Sequence, residues 1–110
     1  MIRSGLGIAR SLVTYWRPGR QRALRRLYAA FVHPGDLVFD VGAHVGDRTA
    51  AFAALGARVI AIEPQPSVLP WLRRLVGSRP GVVIEPVAVG AEPGMADIAI
   101  SKSNPTLSTL

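Results

Sequence analysis

Leu37-Val38-Phe39-Asp40-Val41-Gly42-Ala43-His44-Val45-Gly46, followed further along by Ile60-Ala61-Ile62-Glu63, decides how this chain folds. Each segment is an apolar run that ends in an acid, and the first continues into a glycine loop. Glu63 stands twenty-three residues after Asp40. This is the pattern of the first half of a nucleotide-binding α/β sheet. The glycines let backbone approach a ligand, and an acid after the second strand can accept hydrogen bonds from ribose hydroxyls.

Working outward, Leu37–Val41 reads as a short strand buried on both faces. The loop Gly42–Gly46 leads into an alanine-rich helix from about Asp47 to Leu55, with an acid in its first turn to suit the helix dipole. Gly56-Ala57 ends that helix, and Arg58–Ile62 is the second strand. Ser67 is placed to cap the next helix, with Pro70 in its first turn and a buried stripe of Val68, Leu72 and Leu75. Gly81–Glu85 is a third strand. Beyond it lie a loop through Ala88-Val89-Gly90, a turn at Glu92-Pro93-Gly94 and a strand over Met95–Ser101 with one wetter face. The strand–helix–strand–helix–strand order predicts a parallel sheet with right-handed crossovers. A doubly wound sheet needs two βαβαβ halves, so residues 36–110 are expected to supply the first half only.

Before this lies a different composition. Residues 1–35 hold seven arginines and no acid, whereas residues 36–110 hold six basic and seven acidic residues. The formal charge of +6 therefore belongs to an N-terminal arm. Ile2, Leu6, Ala9, Val13 and Trp16 recur at helical spacing with Arg3, Arg10 and Arg17 beside them; after Pro18-Gly19, Leu24, Leu27, Tyr28 and Phe31 do so again. The turn His33-Pro34-Gly35-Asp36 sets the expected boundary between arm and α/β part. The arm has three readings: helices packed on the sheet with a solvated arginine face, peripheral attachment to anionic membrane helped by Trp16, and nucleic-acid binding on charge alone. No recognition motif supports the third.

With 110 residues, 49% of them hydrophobic, the chain suits one small domain with a moderate core. The absence of cysteine removes disulfides, thiolate catalysis and thiolate-bound metal, and it fits a reducing, cytoplasmic setting. No metal site is expected. No segment approaches the roughly 18 apolar residues of a membrane span. Arg10 interrupts the apolar start before it reaches the length of a secretion signal, although an arginine-rich, acid-poor start also resembles a mitochondrial presequence.

The loop carries the chemical reading. Four amides around Gly42–Gly46, near a helix N-terminus, are expected to form a pocket for a small anion or carboxylate. Asp40 beside them repels a pyrophosphate and suits an ammonium or sulfonium group. His44 replaces the second glycine of the dinucleotide pattern, which argues for an amino-acid-bearing nucleoside over NAD. By residue type His44 is also a candidate general base, against the plainer reading of a residue that shapes the pocket. His33 and Thr49 are read as structural, and Ser108 and Thr109, with no base partner nearby in sequence, are given no nucleophilic role.

These residues resemble the FkbM family of class I S-adenosylmethionine-dependent methyltransferases. The resemblance rests on Asp40-Val41-Gly42-Ala43, Gly46, Thr49, Phe52, Gly56-Ala57, Ile60 to Pro64 with Pro66, Ala88-Val89-Gly90 and Leu107-Ser108. It implies that Asp40, Gly42, Ala43, His44 and Gly46 hold the methionine part of the cofactor. Glu63 would hold the ribose hydroxyls, with Ala88 and Val89 near the adenine. It also implies methyl transfer to a hydroxyl, often of a sugar or small natural product. The chain departs from the family at His44 and Leu75, where asparagine is usual, and it ends before the family's later acidic segment. The expectation is thus the cofactor-binding half of a methyltransferase. The alternatives are a fragment that binds S-adenosylmethionine or a nucleotide without catalysis, and a fragment of an NAD-binding dehydrogenase.

Overall fold

The computed structural model describes residues 2–87, with side chains from residue 7 onward. Ala88, Val89, the expected strand over Met95–Ser101 and the Leu107-Ser108 match lie outside the described residues. The elements run α1 (Ile2–Tyr15), α2 (Arg20–Tyr28), β1 (Leu37–Val41), α3 (Asp47–Ala54), β2 (Arg58–Ile62), α4 (Leu69–Val76) and β3 (Val82–Glu85). The three strands form one parallel sheet in the order β1-β2-β3. This is a partial Rossmann-like fold, as the sequence predicts.

β1 and β2 pair in register from Leu37 with Arg58 to Val41 with Ile62, so Gly42 and Glu63 leave the sheet level with each other. Two right-handed crossovers that advance in one direction place both connecting helices on the same face. Val59 and Ala61 point to that face and are fully buried. Ala61 packs with Ala50, Leu72 and Val76, and Val59 with Phe52. The opposite face holds Leu37, Phe39, Val41, Ile60, Ile62 and Val83, of which Ile62 is buried and the others are half-buried or exposed. Val41 is 56% exposed and Val83 48%. This corrects the expectation of a β1 buried on both faces: the covering of the second face comes, in a doubly wound sheet, from a second set of crossovers running the other way.

The arm packs on the covered side. Trp16 lies against the cluster around Leu72, and Tyr28 and Val32 against the one around Phe52, with the Tyr28 and Phe52 rings edge to face at 4.9 Å. The inward face of α1 is Ile8, Leu12 and Trp16, at steps of four. Ala9 and Val13, expected inward, are exposed instead, Val13 at 75%. Trp16 turns inward as expected, and its Nε1 donates to the Val45 carbonyl at 3.0 Å. Leu24 is the buried residue of α2. Leu27 and Phe31 face outward.

The start of α4 also differs from expectation. Its N-cap is Val68, without a side-chain cap, and Ser67 is exposed one residue earlier. Pro70 still falls in the first turn, where its missing N–H costs nothing. Among the described residues no helix is long and apolar enough to cross a membrane.

Candidate functional site

At the carboxyl end of β1 the chain turns at Gly42 (φ 71°), passes through His44 (φ 56°) and enters α3 at Gly46 (φ 83°). Histidine is among the few non-glycine residue types that tolerate this left-handed region. Gly46 is constrained twice over, since a Cβ there would lie 2.9 Å from Leu72 Cδ1 and 3.0 Å from Val76 Cγ1. Its lack of a side chain is what lets α4 pack against the start of α3.

Four of the five amides of this loop are already engaged. Gly42 and Ala43 both donate to the Ile62 carbonyl, at 2.8 and 3.0 Å, and Gly46 donates to Ala43 at 2.9 Å. His44 donates to Glu63 Oε1 at 2.7 Å. The expected four-amide anion pocket is therefore not formed; three of these amides tie the loop to Ile62 and Glu63, and that of Gly46 closes the loop on Ala43. Two carboxylates, Asp40 and Asp47, already sit at the positive end of α3.

Asp40 is 5% exposed and receives the Thr49 hydroxyl at 2.6 Å on Oδ2. Its other oxygen faces the Arg48 guanidinium at 3.7 Å. Burial raises its carboxyl above the ordinary value, opposed by the Thr49 hydrogen bond and the Arg48 charge. Thr49, read from sequence as packing, turns out to be fully buried and to hold Asp40 in place. Glu63, 3% exposed, accepts from His44 on one oxygen and from the Gln65 amide at 3.0 Å on the other.

Against this loop opens a cavity of about 470 Å3, lined by Gly42, Ala43 and His44, by Asp47 and Arg48 of α3, and by Ser11, Tyr15 and Arg20 of the arm. Of the site residues expected from sequence, Gly42, Ala43 and His44 reach it. Asp40, Gly46 and Glu63 lie beneath, and Ala88 and Val89 are outside the described residues. The arm's contribution was not read from sequence. Arg20 gives Nε and Nη2 to Asp47 Oδ2 at 2.9 and 2.8 Å, and Gln21 donates to the Asp47 carbonyl at 2.7 Å. The Arg20 guanidinium also lies 5.0 Å from the Tyr15 ring centroid, and Tyr15 meets the His44 ring edge-on at 6.2 Å. The absence of acids from the arm was the available signal: its arginines had to find their partners in the α/β part, and Asp47 is one.

No protein family and no curated protein matches the chain. Among solved structures, a precorrin-6y C5,15-methyltransferase from Geobacter metallireducens is similar, with a TM-score of 0.53 and 18% identity. The match covers 71% of this chain and 41% of that one, so this chain spans less than half the length of its structural relative. What the two share is the fold, an α/β arrangement with a parallel sheet.

Proposed function

We propose that this chain carries the cofactor-binding part of an S-adenosylmethionine-dependent methyltransferase, of the FkbM type that its sequence resembles. The observation that carries this reading is the level exit of β1 and β2, each ending beside a buried acid, under a cavity at the carboxyl edge of the sheet. A cavity of about 470 Å3 is of a size to take a small molecule. Each oxygen of Glu63 accepts one amide, and a carboxylate has about four acceptor positions, so two remain for ribose hydroxyls. Reaching them requires the Ala43–His44 stretch to move aside. Asp40 offers its Oδ1 to a cation.

The bound cofactor would supply a methyl on a sulfonium centre. In the reaction an oxygen nucleophile of a sugar or small natural product forms the new C–O bond as the C–S bond breaks. The electron pair goes to sulfur, and the hydroxyl proton goes to solvent or a base. The part played by this chain is to hold and orient, which is where most of the acceleration of such a displacement arises. None of its described residues is assigned as the base.

Calorimetric titration with S-adenosylmethionine and with NAD tests the reading. S-adenosylmethionine is expected to bind and NAD to bind more weakly, with the Glu63→Ala variant losing about tenfold or more in affinity for the former. Tighter binding of NAD would instead favour a dehydrogenase, and no binding of either would remove the cofactor assignment.

For the arm we propose contact with anionic membrane through its outer face. Val13, Leu27 and Phe31 are 75, 60 and 74% exposed there, among Arg10, Arg17, Arg22 and Arg26 and with no acid nearby in sequence. Trp16 no longer supports this contact, because it is turned inward to Val45. Sedimentation with phosphatidylserine vesicles should exceed that with phosphatidylcholine vesicles and fall in a Leu27→Glu, Phe31→Glu variant. Equal sedimentation with both, or stronger binding to duplex DNA, would overturn it.

A further inference from the structure

The formal charge of the chain understates how basic its surface is. Among the described residues no acid stands fully in solvent: Asp40, Asp47 and Glu63 are buried, and Asp36 and Glu85 are half-buried. Asp36 also has His33 beside it, with Nδ1 at 3.6 Å. The arginines go the other way. Arg10, Arg17, Arg22 and Arg26 of the arm are exposed, and so are Arg73 and Arg74 of α4.

α4 resembles the arm in a second respect. Leu69, Leu72 and Val76 are its buried side, while Pro70, Trp71 and Arg74 form an outward stripe with Arg73 at its border. Trp71 is 40% exposed, and residues 64–84 contain no acid. The helix also lies beside the C-terminal end of α1. Trp16 packs against the cluster of Leu72 and Val76, and the Arg79 guanidinium is 6.0 Å from the Trp16 ring centroid. Arm and α4 thus cover the same side of the sheet, and each turns a basic, apolar-tipped face away from it.

We propose that α4 is a second membrane-binding element, which lays Trp71 into the headgroup region of an anionic bilayer while Arg73 and Arg74 meet lipid phosphates. The assignment rests on the contact of the arm with anionic membrane and carries that contact into the α/β part. An indole suits this depth because its body is apolar and its N–H is polar. A guanidinium matches the geometry of a phosphate, and each arginine near such a surface is worth about fivefold in affinity. Duplex nucleic acid would also draw the arginines. It would gain little from the aliphatic Val13 and Leu27, which stand 75 and 60% exposed among them and are stabilised by leaving water.

The test mixes the 110-residue chain with vesicles of phosphatidylserine or phosphatidylcholine whose acyl chains carry bromine, a quencher of tryptophan at the interface. The chain has two tryptophans, and Trp16 is turned inward. On phosphatidylserine vesicles wild-type emission should shift to the blue and be quenched. Trp71→Phe should still sediment with these vesicles, with its remaining emission unquenched. The double variant Arg73→Gln, Arg74→Gln should bind them about 10- to 30-fold more weakly. Circular dichroism, expected to match wild type because all three side chains are exposed, keeps a folding defect apart from a binding one. Sedimentation of wild type without quenching, or undiminished affinity in the double variant, overturns the proposal and leaves the contact of the arm standing. Quenching that persists in Trp71→Phe assigns the inserted ring to Trp16 and overturns it as well. If wild type fails to bind phosphatidylserine vesicles, or binds duplex DNA more tightly, the membrane reading of the arm fails and the proposal with it.

Discussion

At Gly46 two demands meet in one residue. The backbone is left-handed, and the space where a Cβ would go belongs to Leu72 and Val76. Gly42 faces only the first demand, with nothing within 4 Å of an added Cβ. Gly46→Ala should therefore cost about 2–4 kcal/mol, as backbone strain plus overpacking, and Gly42→Ala only about 1 kcal/mol. Urea unfolding midpoints measure the difference. Asp40 gives a prediction in pH. An acid whose pKa is raised by folding binds its proton more tightly in the folded state. Its contribution to stability is then greatest below the unfolded value of about 3.8 and declines as pH rises through the raised folded value. Relative to Asp40→Asn, the wild type should lose stability on going from pH 4 to pH 7. A difference that is flat across that window would mean that Asp40 titrates normally. The identity of these residues was legible in the sequence, since an acid and two glycines at fixed spacing suggested the loop. What was not legible was where the loop's amides would point, because that depends on the Ile62 carbonyl and the Glu63 carboxylate, which come from a distant strand.

At the level of elements, β1, α3 and β2 were readable nearly to the residue because hydrophobic runs and glycines bound them on both sides. The rotation of α1 was not. Its apolar residues (Ile8, Ala9, Leu12, Val13) allow more than one face to turn inward beside Trp16, and the choice among them is made by tertiary packing that helical spacing does not encode. The arm docks through apolar packing of Trp16, Tyr28 and Val32 and through polar contacts at the start of α3, among them the Arg20–Asp47 pair, with side chains 23 and 8% exposed. Arg20→Gln leaves the Asp47 carboxylate without its cation and should cost about 2 kcal/mol. If the arm loosens, Trp16 enters water. In a Trp71→Phe background, its fluorescence should shift to the red in Arg20→Gln. An unchanged spectrum would show that apolar packing of Trp16 alone holds the arm.

For the molecule as a whole, the sheet order and the single covered face follow from the handedness of two crossovers and from their running in one direction. The sequence implied the first but not the second, because β1 has the apolar run of a strand covered on both sides. A small core and a ligand cavity built from both arm and loop make stability and binding strongly linked. S-adenosylmethionine at one hundred times its dissociation constant should add about 2.7 kcal/mol, which for a chain of this size raises the melting temperature by about 10 °C. A melting temperature indifferent to the ligand would argue against the site. The hydrogen bonding of the Gly42–Gly46 loop also sets which of its groups an anion can use. Inorganic phosphate, sulfate and the polyphosphate tails of common nucleotides gain their hold on α/β proteins from open backbone N–H groups. With the Gly42, Ala43, His44 and Gly46 amides committed to Ile62, Glu63 and Ala43, any hold of this cavity on such anions falls to the side chains of Arg20 and Arg48 instead of to those four amides.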